Sequence, residues 1–325
     1  MKEGSLLLDV ALLGTIGSMP MPNSFLSSLL IRYKGRKILI DCGEGTQVSL
    51  RLLKWGFKTI DMICISHGHG DHILGLPGLL STMGNSGRQE PVYILGPKGI
   101  GEIVKGLLVA TPYIPYDIYL IEAEETTLAV NFSDKAIEIS KAEGTPIYNK
   151  DLIISTLELD HSAPCLGYSF YLPRRPKFNV EKALSLSLPK NLWKSLQRGE
   201  AVLHNGKLIQ PEMVLGEERE GIKLSFITDT RPLDKIVTFI KGSQLFVCEG
   251  TYGADEDLRK AIENKHMTFS EAAQLASKGK VGELILTHFS PAMEEPETFL
   301  SNATSIFPNT TLGYHRLTRT LKFPK

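Results

Sequence analysis

The chain has 325 residues, of which 42% are apolar and 22% charged, and its 36 Lys+Arg balance 36 Asp+Glu. This length holds one large domain or two ordinary ones with a substantial core, in the proportions of a soluble globular protein. The zero net charge excludes a global electrostatic pull toward nucleic acid or membrane, so any such pull must be local.

Residues 6–13 are apolar but broken by Asp9 and followed by Gly14, a pattern that predicts a first β-strand rather than the apolar core of a signal peptide. Residues 27–33 and 37–40 predict two more strands around the hairpin-like turn Lys34-Gly35-Arg36. A helix is expected over 47–54, a strand over 61–65, a helix over 74–83, a strand over 92–95, a helix over 99–110 and an extended segment over 118–122. Strands over 153–157 and 167–172 follow, separated by the Asp160-His161 loop. Residues 173–222 break the rhythm and read as an insertion into a single domain spanning 1–325. Short buried strands are then expected over 223–227 and 245–247, a helix over 270–277 and a strand over 283–286. The alternation of strand and helix with some hairpins predicts two sheets sandwiched between helices. The cysteines Cys42, Cys64, Cys165 and Cys248 form no CxxC pair, which argues against a disulfide framework or zinc ribbon and predicts a reducing, cytoplasmic compartment. No run approaches the roughly 18 consecutive apolar residues of a membrane span.

The strand at 61–65 leads into His67-Gly68-His69-Gly70-Asp71-His72, four potential metal ligands within six residues. Residues two apart on a strand point the same way, so His67 and His69 can reach one ion together. The two glycines are expected to let the backbone bend and turn Asp71 and His72 toward the same cavity. Buried polar clusters are costly unless a metal or partner satisfies them, and the flanking runs are apolar. Four ligands exceed what one catalytic zinc usually takes, which predicts two metals.

Further candidates stand where predicted strands end: His161, Asp229, Glu249 and His288. A sheet holds such residues rigidly at the mouth of the open loops. One ion is expected on His67, His69 and His161, the other on Asp71, His72 and His288, with Asp229 bridging because one carboxylate has lone pairs for both. The mixed nitrogen and oxygen donors suit two zinc ions, with manganese second. Two such ions supply a hydroxide near neutral pH and stabilise attacking and leaving oxygens, the chemistry of hydrolysis.

This arrangement resembles the metallo-β-lactamase superfamily. Within it, Asp41-Cys42-Gly43-Glu44-Gly45-Thr46-Gln47, the His67–His72 motif with Gly75-Leu76-Pro77-Gly78-Leu79-Leu80, and Asp229-Thr230-Arg231-Pro232 are similar to the ribonuclease Z branch over nearly the whole chain. The resemblance implies an αβ/βα four-layer sandwich of two mixed sheets flanked by helices. It also implies a metal-dependent phosphodiesterase that removes the 3′ trailer of precursor tRNA by metal-hydroxide attack on phosphorus, leaving a 3′-hydroxyl on the tRNA. The metal ligands fall as assigned above. His266-Met267-Thr268 and Glu249 match two further family elements, in which the His assists the scissile phosphate or leaving group and the Glu orients it. Asp71 is implied as the residue that orients the attacking water, and a homodimer is implied by the relatives.

Between Arg174 and Arg198 the insertion carries seven basic residues (Arg174, Arg175, Lys177, Lys182, Lys190, Lys194, Arg198) and one acid, Glu181. Such a segment can grip a phosphate backbone, and the family uses an arm here to clamp tRNA. Arg174, Arg175, Lys177, Lys190 and Lys194 are therefore the candidate RNA contacts of this exosite. The chain departs from the family at Leu188-Pro189-Lys190-Asn191-Leu192-Trp193-Lys194, which lacks the Gly-Pro tip, at Cys248 in place of a His, and at Phe289-Ser290-Pro291-Ala292 after His288. The alternatives are a hydrolase of small or cyclic phosphodiesters with the same site, and a non-cleaving metal- or RNA-binding protein. A di-iron oxidoreductase is set aside, because those sites usually place a Glu where His69 stands.

Overall fold

The computed structural model describes residues 7–133, 137–142 and 147–324; Leu6, the first residue of the expected opening strand, lies outside them. The first half of the chain runs β1 (Leu8–Gly14), β2 (Ser28–Tyr33), β3 (Arg36–Ile40), α1 (Thr46–Leu53), β4 (Ile60–Cys64), α2 (Gly70–Ile73), α3 (Leu76–Asn85), β5 (Val92–Pro97), α4 (Ile100–Leu108) and β6 (Ile118–Ala123). It continues with β7 (Thr127–Phe132), β8 (Ile137–Lys141), β9 (Leu152–Glu158), β10 (Leu166–Arg174), α5 (Val180–Ser185), α6 (Lys190–Gln197), β11 (Val202–His204) and β12 (Lys207–Ile209). The last part comprises β13 (Arg219–Ile227), α7 (Asp234–Ile240), β14 (Leu245–Glu249), α8 (Leu258–Asn264), α9 (Phe269–Gly279), β15 (Glu283–Thr287), α10 (Leu300–Thr304), β16 (Thr310–Leu312) and β17 (Thr318–Leu321).

The strands form a seven-stranded sheet ordered β17-β1-β2-β3-β4-β5-β6 and an eight-stranded sheet ordered β16-β15-β14-β13-β10-β9-β7-β8. Each sheet is mixed, antiparallel on one side and parallel on the other. Alternate residues explain the layers. Leu29, Ile31 and Tyr33 of β2 face a core shared with Leu152, Ile154, Tyr168 and Phe170 of the other sheet. Leu30 and Leu39 face outward onto Leu50, Leu76 and Leu79 of α1 and α3. The outer face of the second sheet is covered by Ile236, Ile240, Phe269, Ala273 and Ala276 of α7 and α9. The result is the four-layer αβ/βα sandwich with two mixed sheets, as expected.

The β2–β3 turn consists of Lys34 (φ 50°) and Gly35 (φ 77°). Two successive positive φ values are what a two-residue hairpin needs to match strand twist; Arg36 already belongs to β3. Arg36 and the buried Arg88 both hold the buried Asp61 of β4, at 2.5 Å and 3.0 Å. This ion triad fixes β3 against β4, and those two strands deliver Asp41 and His67.

The segment after β10 is a small folded unit rather than a plain loop. α5, α6 and the β11–β12 hairpin enclose Ala183, Leu188, Leu196, Ile209 and Val214, with Trp193 and Phe178 packed against them. The expected limits of 173–222 are too wide, because Leu172–Arg174 and Arg219–Ile222 are paired within β10 and β13. The expected helix over 74–83 begins two residues later and is preceded by α2, so the bend that carries Asp71 and His72 is a helical turn.

Candidate metal centre

Parallel β3 and β4 in one sheet, and β13, β14 and β15 in the other, all end on the same edge of the sandwich. β9 runs in the direction of β13, because each pairs antiparallel with β10. Asp41, His67, His161, Asp229, Glu249 and His288 therefore leave the sheets at one place. Three of these strand-exit residues adopt left-handed backbone: Asp41 (φ 55°), Asp229 (φ 35°) and His288 (φ 58°). Such strain in non-glycine residues stands at about 1–3 kcal/mol each and concentrates where function demands a fixed geometry.

The side chains form two groups. In one, His67 Nε2 and His161 Nε2 lie 3.0 Å and 3.2 Å from His69 Nδ1. In the other, His72 Nε2 lies 3.1 Å from His288 Nε2 and 3.4 Å from Asp71 Oδ2. Asp229 stands between them. Its Oδ2 is 3.7 Å from His67 Nε2 and 3.8 Å from His161 Nε2, while its Oδ1 is 3.5 Å from His72 Nε2 and 3.3 Å from His288 Nε2. All seven expected ligand residues meet here, and Asp229, His266 and His288 form a third, overlapping group that could also hold an ion.

The chain turns at Gly70 as expected, and the glycines of the motif also make room for their neighbours. Neither Gly68 nor Gly70 has positive φ. A methyl at Gly68 would come within 2.4 Å of Ile103 Cδ1, and one at Gly70 within 2.9 Å of Leu74 Cδ1. They give room for close packing. A similar constraint holds at Gly17, where an added carbon would sit 2.4 Å from the His288 ring.

Four of the five rings, those of His67, His72, His161 and His288, are held from behind through their other nitrogen. His67 Nδ1 is 3.0 Å from Ser66 Oγ, His72 Nδ1 2.7 Å from Asp41 Oδ2, His161 Nδ1 3.3 Å from the Lys265 carbonyl and His288 Nδ1 3.1 Å from Thr251 Oγ1. Asp41 also accepts from the Ser66 amide and hydroxyl, at 2.7 Å and 2.8 Å. Such partners fix ring orientation and tautomer in metal sites.

The electrostatics call for positive charge. Burial would raise the Asp71 and Asp229 pKa values, but the facing histidines hold both carboxyls far below the usual range. Burial lowers His67, whose neighbours are mostly other histidines. It also opposes charge on His72, yet Asp229 and Asp41 outweigh it and push that imidazole up. Among the described residues, no lysine or arginine pairs with Asp71 or Asp229. Five ring nitrogens turned inward around two carboxylates are a donor set that divalent cations satisfy once the rings are neutral. The His/Asp cluster is a metal-binding arrangement.

His266 and Glu249 flank this centre. Glu249 is fully buried and accepts from Thr230 N (2.7 Å), Met267 N (3.1 Å) and Thr251 Oγ1 (2.7 Å), and it faces His266 Nδ1 at 3.1 Å. His266 is not a plain helix-start surface residue: its ring stacks near His288 and His161, with centroids 5.4 Å apart in each case. Burial lowers its pKa, but the charge and hydrogen bond of Glu249 prevail and raise it to about 9. Arg231 bonds the His266 carbonyl and forks onto Glu271, which closes the N-terminal capping box of α9.

The arm cations divide into two sets. Arg174 bonds the Pro324 carbonyl at 2.6 Å, Arg175 the Gln197 carbonyl at 2.8 Å and Lys177 the Glu217 carboxylate at 3.1 Å. Lys190 and Lys194, with Arg198 beyond them, are exposed and spaced four apart along α6. Sequence reasoning gave no role to Asp41, Thr251 or Lys265. Asp41 carried the available signal, an acid directly after a strand; Thr251 and Lys265 carried none, because their contacts are made across the fold.

A family model described as "Anti-Pycsar protein Apyc1" matches residues 8–109, which end before the second sheet begins. Curated proteins similar to the chain over its length include "Ribonuclease Z" of Clostridium perfringens, 56% identical over 98% of this chain and 100% of that protein. "Ribonuclease Z" of Clostridium tetani is 55% identical over 98% and 99% of the two chains. Among solved structures, the short form of human tRNase Z superposes with a TM-score of 0.64 at 22% identity, covering 98% of this chain and 100% of that one. The metallo-β-lactamase fold protein YhfI from Bacillus subtilis gives 0.66 at 16% identity, covering 97% and 99%. These two share the fold.

Proposed function

The chain belongs to the ribonuclease Z family, and from that premise we propose that it is a metal-dependent endoribonuclease removing the 3′ trailer of precursor tRNA. The observation that carries this reading is Asp229, whose two oxygens address two separate groups of imidazole nitrogens. His67, His69 and His161 would hold one zinc ion, Asp71, His72 and His288 the other, and Asp229 both; manganese is the alternative. When bound, such a pair activates water near neutral pH and offsets charge on the phosphoryl oxygens.

The protein's own groups supply the rest. Asp71, fixed by the Ser18 amide at 2.6 Å and facing His288 at 3.3 Å, orients the attacking water. Glu249 holds Nδ1 of His266, so Nε2 is left to protonate the departing ribose oxygen. With a pKa of about 9, His266 carries that proton at neutral pH. The tRNA keeps a 3′-hydroxyl, and the phosphate stays with the trailer. The arm grips the tRNA body away from the reaction centre, with Lys190 and Lys194 as its free cations. Arg174, Arg175 and Lys177 support the arm's base as well as its charge.

A homodimer and a cytoplasmic location complete the reading. Val48 and Leu52, one turn apart on α1 and both at least half exposed, support a self-association surface. Four free buried thiols fit a reducing compartment. Among the described residues no helix is long and apolar enough to cross a membrane. The test is to offer precursor tRNA beside a generic phosphodiester dye, with and without chelator. Metal-dependent trimming of the tRNA supports the reading; hydrolysis of the dye alone refutes it in favour of a small-diester hydrolase.

A further inference from the structure

Resting on the endoribonuclease reading, we propose that Arg316, set against Phe25 on the rim of the reaction centre, binds a backbone phosphate of the RNA next to the scissile one. β16 runs parallel to β15, so the turn Gly313-Tyr314-His315-Arg316 leaves the second sheet on the edge where His288 leaves it. The Gly313 amide bonds the Leu286 carbonyl at 2.8 Å, and the Arg316 amide bonds Leu12 of β1 at 2.6 Å. The loop after β1 wraps His288 through Phe289 N to Thr15 O (2.9 Å) and Gly17 N to Phe289 O (3.0 Å). Thr15 in turn touches the turn itself, with Oγ1 3.4 Å from His315 Nδ1. Thr15 thus joins this turn to the loop that follows His288.

The chemistry of the turn points to an anion. The Arg316 guanidinium carbon lies 5.7 Å from the Phe25 ring centre, and His315 stands edge-on to the same ring at 5.2 Å. Its Nη1 is buried without a hydrogen-bond partner, and no carboxylate pairs with it among the described residues. A guanidinium stays charged at all working pH values, and a buried donor without an acceptor is unfavourable. Arg316 adopts φ 68° within the turn that the Leu317 amide closes on the Tyr314 carbonyl at 3.0 Å, which fixes where its side chain leaves the backbone. The planar fork matches the paired oxygens of a phosphodiester. Tyr314 beside it is 62% exposed and offers a ring face for a base to stack on.

The experiment compares wild type, Arg316→Gln and Arg316→Lys on precursor tRNA and on bis(p-nitrophenyl) phosphate, which fills the reaction centre alone. A lost charge-assisted contact predicts a KM for precursor raised about tenfold in the Gln variant. The slope of log(kcat/KM) against log salt should fall by about one, with dye kinetics unchanged and partial recovery in the Lys variant. Should the Gln variant fail to fold, the Lys variant alone must still show a raised KM on precursor and none on dye. Equal losses on both substrates would mean a packing role and overturn the proposal, as would no change on precursor. A wild type that hydrolyses dye but leaves precursor intact would instead bring down the endoribonuclease reading itself, and this proposal with it.

Discussion

Nδ1 of His72 lies 2.7 Å from Oδ2 of Asp41, a carboxylate sealed from solvent and held in left-handed backbone. Asp41 touches no candidate metal position, yet it fixes the ring that does. Removing such a carboxylate typically lowers metal affinity about 10–100-fold. Asp41→Asn is therefore expected to need correspondingly more free zinc for half-maximal activity, read by titration in a metal buffer. An unchanged zinc requirement would remove Asp41 from the account.

The pH dependence of the rate should report His266. Burial works against its protonation, but Glu249 overcomes this and sets the pKa at about 9. A proton donor with a raised pKa is active below that value and lost above it. Glu249→Gln removes the raising charge, so the basic limb of kcat against pH should move to lower pH. A limb that stays in place would show that another group controls it.

Thr251 joins the two halves of the site. Its hydroxyl donates to Glu249 at 2.7 Å and lies 3.1 Å from His288 Nδ1 and 3.3 Å from His266 Nδ1. Thr251→Val keeps the shape but leaves buried polar groups short of a partner, a loss of about 1–3 kcal/mol. The expected result is a weaker zinc response together with a lower kcat, both restored by Thr251→Ser. A Val variant matching wild type in both would exclude this coupling.

The arm can be removed cleanly, because Arg174 of β10 and Arg219 of β13 are partners in one ladder. Replacing residues 176–217 with a short Gly-Ser turn should leave dye hydrolysis intact. The KM for precursor tRNA should rise at least about tenfold as several phosphate contacts are lost. Equal activity on both substrates would contradict a clamping role.

The site was legible where one short segment held several ligands or where an ionisable residue closed an apolar strand, as with His67–His72, Asp229 and His288. The core strands were legible for the same reason, since period-two burial shows in β2 and β3. β7, β8, α7, α8, α10, β16 and β17 escaped, because short amphipathic elements gain their stability from packing rather than local pattern. The arm's small core around Trp193 and Leu196 depends on contacts between residues far apart in sequence. Thr251 and Lys265 were invisible for a related reason: a common hydroxyl and a backbone carbonyl acquire roles only when the fold brings His288 and His161 to them.

Zinc titration of chelator-stripped protein, read as precursor tRNA trimming with direct metal analysis, tests the account most directly. Trimming should be absent without metal, rise to a plateau at two ions per chain, and fail in Asp229→Ala and His67→Ala at the same zinc concentration. Full trimming by the stripped protein, or by either variant, would contradict it.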